Sequence, residues 1–255
     1  GRAMGLDKPL IVQYLVWVKN AAVGDFGDSV HFRRNSLDLI LKFLPATLQL
    51  SGISFLCALI IGIPLGVLSA VKRTTGWDYL GRSFALIGQA APPFWIALVF
   101  IWIFSVYLGW LPTSRKGDWT HYVMPVIVLG WLPAAGLLRL TRSSMLEVLD
   151  SEYVKLARAK GVSTKAIIWK HAFRNSLIAP LTYAAILLAN FLTGTVVVET
   201  VFAWPGLGRL SVMAALNTDF PLITGLALVF SVIFLLCSLV ADILYALLDP
   251  RIRIS

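Results

Sequence analysis

Charge is scarce in this sequence. Of its 255 residues 14% are Asp, Glu, Lys or Arg, where a soluble domain carries about 25%. Hydrophobic residues make up 58% and mean hydropathy is +0.80. A single soluble core of this size cannot hide that much apolar surface, so lipid is its natural solvent. Cysteine is nearly absent. Cys57 and Cys237 each sit in a long apolar run, which argues against a disulfide framework or metal knuckle and for two small buried side chains. His31, His121 and His171 are scattered without ligand spacing, so no metal or cofactor is expected. There is no Gly-x-x-x-x-Gly-Lys-Ser/Thr phosphate loop. Any ATP must therefore be handled by a partner. Neither a nucleophile with its base nor a metal site supports an intramembrane enzyme.

What is present is five windows free of charged residues: 43–71, 83–114, 119–138, 175–198 and 220–241, each rich in Leu, Ile, Val, Phe and Ala. A spanning helix needs about 20 apolar residues. The expected fold is an all-α polytopic transmembrane bundle with five spans. The run from Pro9 to Val18, bounded by Lys8 and Lys19, is too short to span and reads as an amphipathic surface helix.

The net charge of +9 suggests nucleic acid in a soluble protein, but its distribution points elsewhere. Segments 72–82, 139–174 and 242–255 hold 13 Lys and Arg, whereas 115–118 and 199–219 hold only Arg115, Lys116 and Arg209. That is a positive-inside bias, with membrane lipid as the partner and no nucleic acid. Loop 139–176 and the C-terminus are assigned to the cytoplasmic side of the membrane. Residues 1–42, with six basic residues, then fall outside. A preceding first helix, giving six spans, is expected to carry this extracytoplasmic segment across; residues 43–255 form the transmembrane domain.

Helix breakers punctuate the windows: Pro64 inside Gly62-x-x-x-Gly66, Pro92-Pro93, Pro125 and Pro133. They fit either kinked helices lining a path or close helix packing. Gln49, Gln89 and Asn190 stand within spans as candidates for lining a pathway, or as interhelical hydrogen-bonding groups. Asp242 is expected to pair with a cation or reach the interface.

Loop 139–176 carries the most local structure. Asp150 or Ser151 can cap a short helix with Glu152 in its first turn and Lys160 in its last. Gly161 stops it, and Ser163 or Thr164 starts a second short helix through His171. Tyr153, Leu156, Ala157 and Lys160 share one face. Such a bracket either docks into a partner's groove or rests as a basic segment on anionic lipid.

Glu152-Tyr-Val-Lys-Leu-Ala157-Arg-Ala159-Lys-Gly161, followed by Ala172-x-x-Asn175 and Pro180, resembles the cytoplasmic coupling motif of ATP-binding-cassette import permeases, in the version of the dipeptide, oligopeptide and nickel permease family. Further stretches resemble that family: Leu6-Asp7-Lys8-Pro9, Gly24-Asp25-Phe26-Gly27, Leu44-Pro45-Ala46-Thr47-Leu48, Gly109-Trp110-Leu111-Pro112, Leu140-Thr141-Arg142-Ser143-Ser144-Met145, Val198 through Arg209, and Leu248-Asp249-Pro250-Arg251-Ile252-Arg253. The resemblance runs from about Gly5 to Arg253. It implies the type I importer permease fold, half of a translocation pathway for di- or oligopeptides, a second homologous permease, two ATPase subunits and an extracytoplasmic substrate-binding protein. Glu152, Tyr153, Leu156, Ala157, Arg158, Ala159 and Gly161 would form the ATPase-coupling loop. Glu199, Phe202, Trp204, Gly206 and Arg209, in a turn before a short helix to Asn217, would lie near the outer gate and binding protein; Phe202 and Trp204 suit the membrane interface, or the stretch is a plain turn with an aromatic anchor. Nickel, a metal chelate or glutathione is the alternative cargo. A channel or ion-coupled carrier needing no ATPase is the alternative machine.

Overall fold

The computed structural model describes residues 9–248. The motif residues Leu6-Asp7-Lys8 and Asp249-Pro250-Arg251-Ile252-Arg253, and the C-terminal tail, lie outside the described residues, as do the side chains at 189, 192–194, 245, 247 and 248. The described chain is helical, with one isolated bridge between Asp28 and Asn35.

The short run after Pro9 forms α1 (Leu10–Ala22), none of whose residues is buried. Asn35 then starts α2 (Ser36–Val71), its Oδ1 accepting from the backbone N–H of Leu37 (2.9 Å) and Asp38 (3.4 Å). At 36 residues α2 is roughly 54 Å long, well beyond a bilayer core of about 30 Å. It passes through Pro45 and Pro64 without ending.

The second window is not one straight helix. It divides into α3 (Gly76–Ala90) and α4 (Pro93–Phe100), the latter continuing as a π-helical segment Ile101–Tyr107, with a 107° bend between the halves. The cause is Pro92-Pro93. Neither residue can donate a helical hydrogen bond, and Pro92 drives Ala91 into extended backbone (φ −98°, ψ 131°).

α5 (Thr120–Leu149) keeps Pro125 and Pro133 inside it. After the short elements of loop 150–176, α9 (Ile178–Val201), α10 (Leu207–Leu216) and α11 (Phe220–Leu248) complete the chain. Among the described residues α2, α5 and α11 are each long and apolar enough to cross a membrane, and the bent pair is a fourth where its two halves are taken as one broken span. α9, with 24 residues over the fourth window, is roughly 36 Å long.

α2 and α5 form the spine. Small residues let them touch: a Cβ on Gly62 would stand 2.7 Å from the Ala134 carbonyl oxygen, one on Gly66 2.6 Å from Thr141 Cβ, and one on Gly130 3.1 Å from the Ser54 carbonyl oxygen. Close packing is thus what Gly62-x-x-x-Gly66 does here. The two ends of α2 carry different clusters. Leu39 and Ile40 pack with Leu207 and Leu210 of α10; Val67 and Ala70 pack with the elements after α5. These are the α10 end and the α6 end, α6 being the short helix Glu152–Ala159.

Candidate functional site

At the α6 end, α6 covers Glu152–Ala159. Ser151 takes the N-cap position in extended backbone, but its hydroxyl donates to the Val148 carbonyl (2.6 Å), and Asp150 closes α5. Neither side chain caps α6, contrary to expectation. Glu152 instead pairs with Lys155 (2.8 Å). Gly161 stops the helix with φ +78°, its N–H donating to Arg158 O and that of Val162 to Ala157 O. Only glycine enters that conformation without strain. Ser163 caps the next turn, accepting from Ala166 N–H at 3.4 Å. The second arm does not end at His171. α7 (Thr164–Ala166) runs through a π-helical segment Ile167–Phe173 into α8 (Arg174–Ser176) and almost directly into α9.

One side chain fastens α6 to the bundle. Val154 is fully buried among Met145, Leu149, Ile167 and Ala172, over Val67 and Ala70 of α2. Glu152, Leu156, Arg158, Ala159 and Gly161 are exposed, and Ala157 is half-buried. Tyr153 is turned to a second task. Its hydroxyl donates to His171 O (2.8 Å) and accepts from Asn175 Nδ2 (3.0 Å), tying the two arms of the bracket. The displayed surface therefore combines Leu156 with Glu152, Lys155, Arg158, Ala159 and Lys160, all exposed.

Behind the bracket lies a cluster that sequence reading did not single out. Asp78, 1% exposed in the first turn of α3, accepts from Arg142 Nε (2.7 Å) and Nη2 (3.0 Å), from the Ser69 hydroxyl (2.6 Å) and from Thr74 N–H (3.1 Å). It joins α2, α3 and α5. The bonds from Arg142, against burial and with help from Ser69 and Thr74, hold its carboxyl well below the usual range. Asp78 is the one acid in the basic stretch 72–82, and that was the available signal.

At the α10 end, Glu199, Phe202, Trp204, Gly206 and Arg209 do come together. Phe202 and Trp204 are not interface anchors, however: each is buried to within 1%. The turn folds them under α2, where Trp204 Nε1 donates to Ala46 O (3.0 Å) and its ring meets Tyr122 edge-on at 4.7 Å. Buried indole needs such an acceptor. Glu199 is buried too. Its Oε1 accepts from Thr47 Oγ1 (2.7 Å) and Oε2 from Arg209 N–H (3.1 Å), while Thr47 Oγ1 accepts from Leu207 N–H (2.7 Å). The carboxylate thus sits at the N-terminus of α10, where unpaired N–H groups favour negative charge. Gly206 leaves it room, since a Cβ there would stand 2.4 Å from the carboxylate. Arg209 Nη1 reaches back to Ala203 O (2.8 Å). Asp219, between α10 and α11, accepts from the Ser29 hydroxyl and from the N–H groups of His31 (3.1 Å), Val30 (3.2 Å) and Leu222 (3.4 Å). Burial raises its carboxyl pKa, but these bonds outweigh burial and leave it lowered.

The three amides are not brought together. Gln49 is exposed and accepts from Lys116 Nζ (2.5 Å) and Tyr122 OH (3.4 Å). Gln89 accepts from Arg139 Nη1 (2.8 Å) in a cleft shared with Arg82 and Arg142. Asn190 lines an apolar cavity between α5 and α9. Asp242 is exposed on α11.

Residues 62–254 match the family described as binding-protein-dependent transport system inner membrane component. The chain belongs to that family. It is 41% identical over 98% of its length to the oligopeptide transport system permease protein AppB of Bacillus subtilis, covering 82% of that protein. It is 42% identical over 98% of its length to the glutathione transport system permease protein GsiC of Escherichia coli K12, again covering 82%. The fold is that of the MetNI methionine ABC transporter in an inward-facing conformation: TM-score 0.69 at 17% identity, over 83% of this chain and 96% of that one. A second neighbour, an amino acid ABC transporter with histidines, gives TM-score 0.67 at 14% identity, over 82% and 93%. The permease is therefore a multi-pass inner-membrane subunit of an ATP-binding-cassette importer with the type I permease fold, working with ATPase and substrate-binding partners.

Proposed function

We propose that this permease forms half of a translocation pathway for di- or oligopeptides, paired with a second homologous permease above two ATPase subunits, and that residues 152–161 are the handle by which the ATPases move it. In this reading the α6 end and the C-terminus face the cytoplasm. Residues 1–42 and the α10 end face the substrate-binding protein outside, and 43–255 make up the transmembrane domain. Glu199, Phe202, Trp204, Gly206 and Arg209 keep the outer end rigid by capping α10. Of the three amides, we assign Asn190 to the passage, because it lines the cavity between α5 and α9.

The observation that carries the proposal is the bracket. α6 is an eight-residue helix with one fully buried side chain, Val154; Tyr153 ties it to the second arm, Ala157 is half-buried, and Glu152, Lys155, Leu156, Arg158 and Ala159 are exposed. A helix so short is marginal alone, so an ordered one displayed this way fits a partner's groove. ATP-driven closure of that groove would bias the spans between inward- and outward-facing arrangements. Replacing Ala157 with Arg or Gly161 with Trp in the assembled importer should abolish uptake while the chain still inserts. Gly161→Asn, which tolerates the left-handed backbone, should retain more uptake than Gly161→Val. Normal uptake with coupled ATP hydrolysis in the Ala157→Arg variant would remove the handle from the account.

Glutathione is a second cargo reading, favoured by the 42% identity to the glutathione permease beside 41% to the oligopeptide one. Calorimetry of the cognate binding protein against short peptides and glutathione separates the two.

A further inference from the structure

Two cavities lie end to end in the groove between α5 and α9. The one nearer the α6 end, about 540 Å³, is open-sided and carries polar groups in its wall, Ser144, Glu147, Asn175, Ser176 and Thr182, beside apolar Leu140, Val148, Ile178 and Ile186; it is the more polar of the two. The next, about 210 Å³, is apolar, with Val128, Leu132, Pro133, Leu187 and Phe191, and Pro93 from α4. Their order agrees along both helices. On α5 the lining residues fall from 148 to 140 in the first and from 133 to 128 in the second; along α8 and α9 they rise from 175 to 186 in the first and from 183 to 198 in the second, overlapping at Tyr183. The helices run antiparallel, so the cavities are successive compartments, and Ser144 to Val128 along α5 spans roughly 24 Å.

Tyr183 lines both compartments. Opposite it, in the gap between the two sets of α5 residues, is Gly136. A Cβ there would stand 2.5 Å from the Tyr183 hydroxyl oxygen and 3.0 Å from its ring carbons. The ring therefore lies against bare α5 backbone, and the glycine is what admits it. The polar compartment is also joined to the bracket. Asn175 walls it and donates to the Tyr153 hydroxyl on α6.

The geometry points to Tyr183 as the inner partition of the cargo passage: a ring seated on Gly136 that closes the polar compartment from the apolar one, with Asn175 and Tyr153 linking the compartment wall to the coupling helix. This rests on the proposed reading of the α6 end as cytoplasmic and the α5–α9 groove as part of the pathway. An aromatic ring suits the task, because its two faces can be wetted differently while rotation about χ1 moves it between discrete positions.

The test uses the complete importer in proteoliposomes, with single-cysteine reporters at Ser144→Cys in the first compartment and Leu132→Cys in the second. A membrane-impermeant thiol reagent is applied from the α6 side without ATP. Ser144→Cys should react in every background. Leu132→Cys should react slowly with Tyr183 or Tyr183→Phe, and about tenfold or more faster with Tyr183→Ala or the milder Tyr183→Leu, a factor that corresponds to about 1.4 kcal/mol. The opened variants should also move less cargo per ATP hydrolysed. Unchanged reactivity at Leu132→Cys in both opened variants, with Ser144→Cys reactive, overturns the partition alone. A silent Ser144→Cys overturns the pathway reading beneath it as well.

Discussion

Asp78 shows how one carboxylate can organise three helices. It is buried where α2, α3 and α5 meet and it is satisfied by Arg142, Ser69 and Thr74. Asp78→Asn would leave Arg142 facing a neutral amide. That should cost on the order of 2 kcal/mol, less than full burial implies because Arg142 keeps part of its guanidinium in water. The pH dependence has a definite sign. The folded pKa of Asp78 lies below its ordinary value of 3.8, so its contribution is complete above that value and is lost as pH falls through the folded one. The melting-temperature gap between the detergent-solubilised wild type and Asp78→Asn should therefore hold from neutral pH to about pH 5 and narrow in stronger acid. A gap that widened on acidification would mean that Asp78 is not held ionised by Arg142.

Among the elements, the α2–α5 pair is packed with little slack. Gly66 faces Thr141 Cβ at 2.6 Å and Leu138 O at 2.7 Å for any added Cβ. Gly66→Ala must push two helices apart, and overpacking of this kind costs about 1–3 kcal/mol. Thermal unfolding of the purified chain should show a clear drop for Gly66→Ala and almost none for Gly52→Ala in the same helix, where a Cβ meets nothing within 4 Å. Equal losses would place the contact elsewhere. The bent α3–α4 pair is the complementary case. Proline there does not merely kink a span but turns it through 107°, because two adjacent residues lack the donor and the residue before them is forced out of helical backbone.

At the scale of the molecule, α2 runs between two differently built ends. The α10 end is a knot of buried groups, Glu199, Trp204 and Asp219, with close hydrogen bonds. The α6 end displays a basic bracket hung on Val154. A rigid α10 end and a displayed α6 end suit the proposed tilting of the body by a motor. Orientation can be read directly. An impermeant thiol reagent should label Asn217→Cys in intact cells, both cysteines of the natural chain having first been replaced, and Lys160→Cys only after permeabilisation. The reverse pattern would invert the molecule.

Composition, charge-free windows and basic asymmetry were sufficient to define a multi-pass helical membrane protein, because burial in lipid is a property of each residue's own chemistry and needs no knowledge of neighbours. The stop at Gly161 was legible for the same reason: a left-handed residue ending a helix is a local event. What the chain order does not display is which distant residues meet. Asp78 with Arg142, Glu199 with Thr47, Trp204 with Ala46 O, and Tyr183 over Gly136 are each brought together across dozens of residues. Phe202 and Trp204 look like interface aromatics in sequence because their amphipathic rings suit either place, and only the packing of the turn beneath α2 decided that they are core.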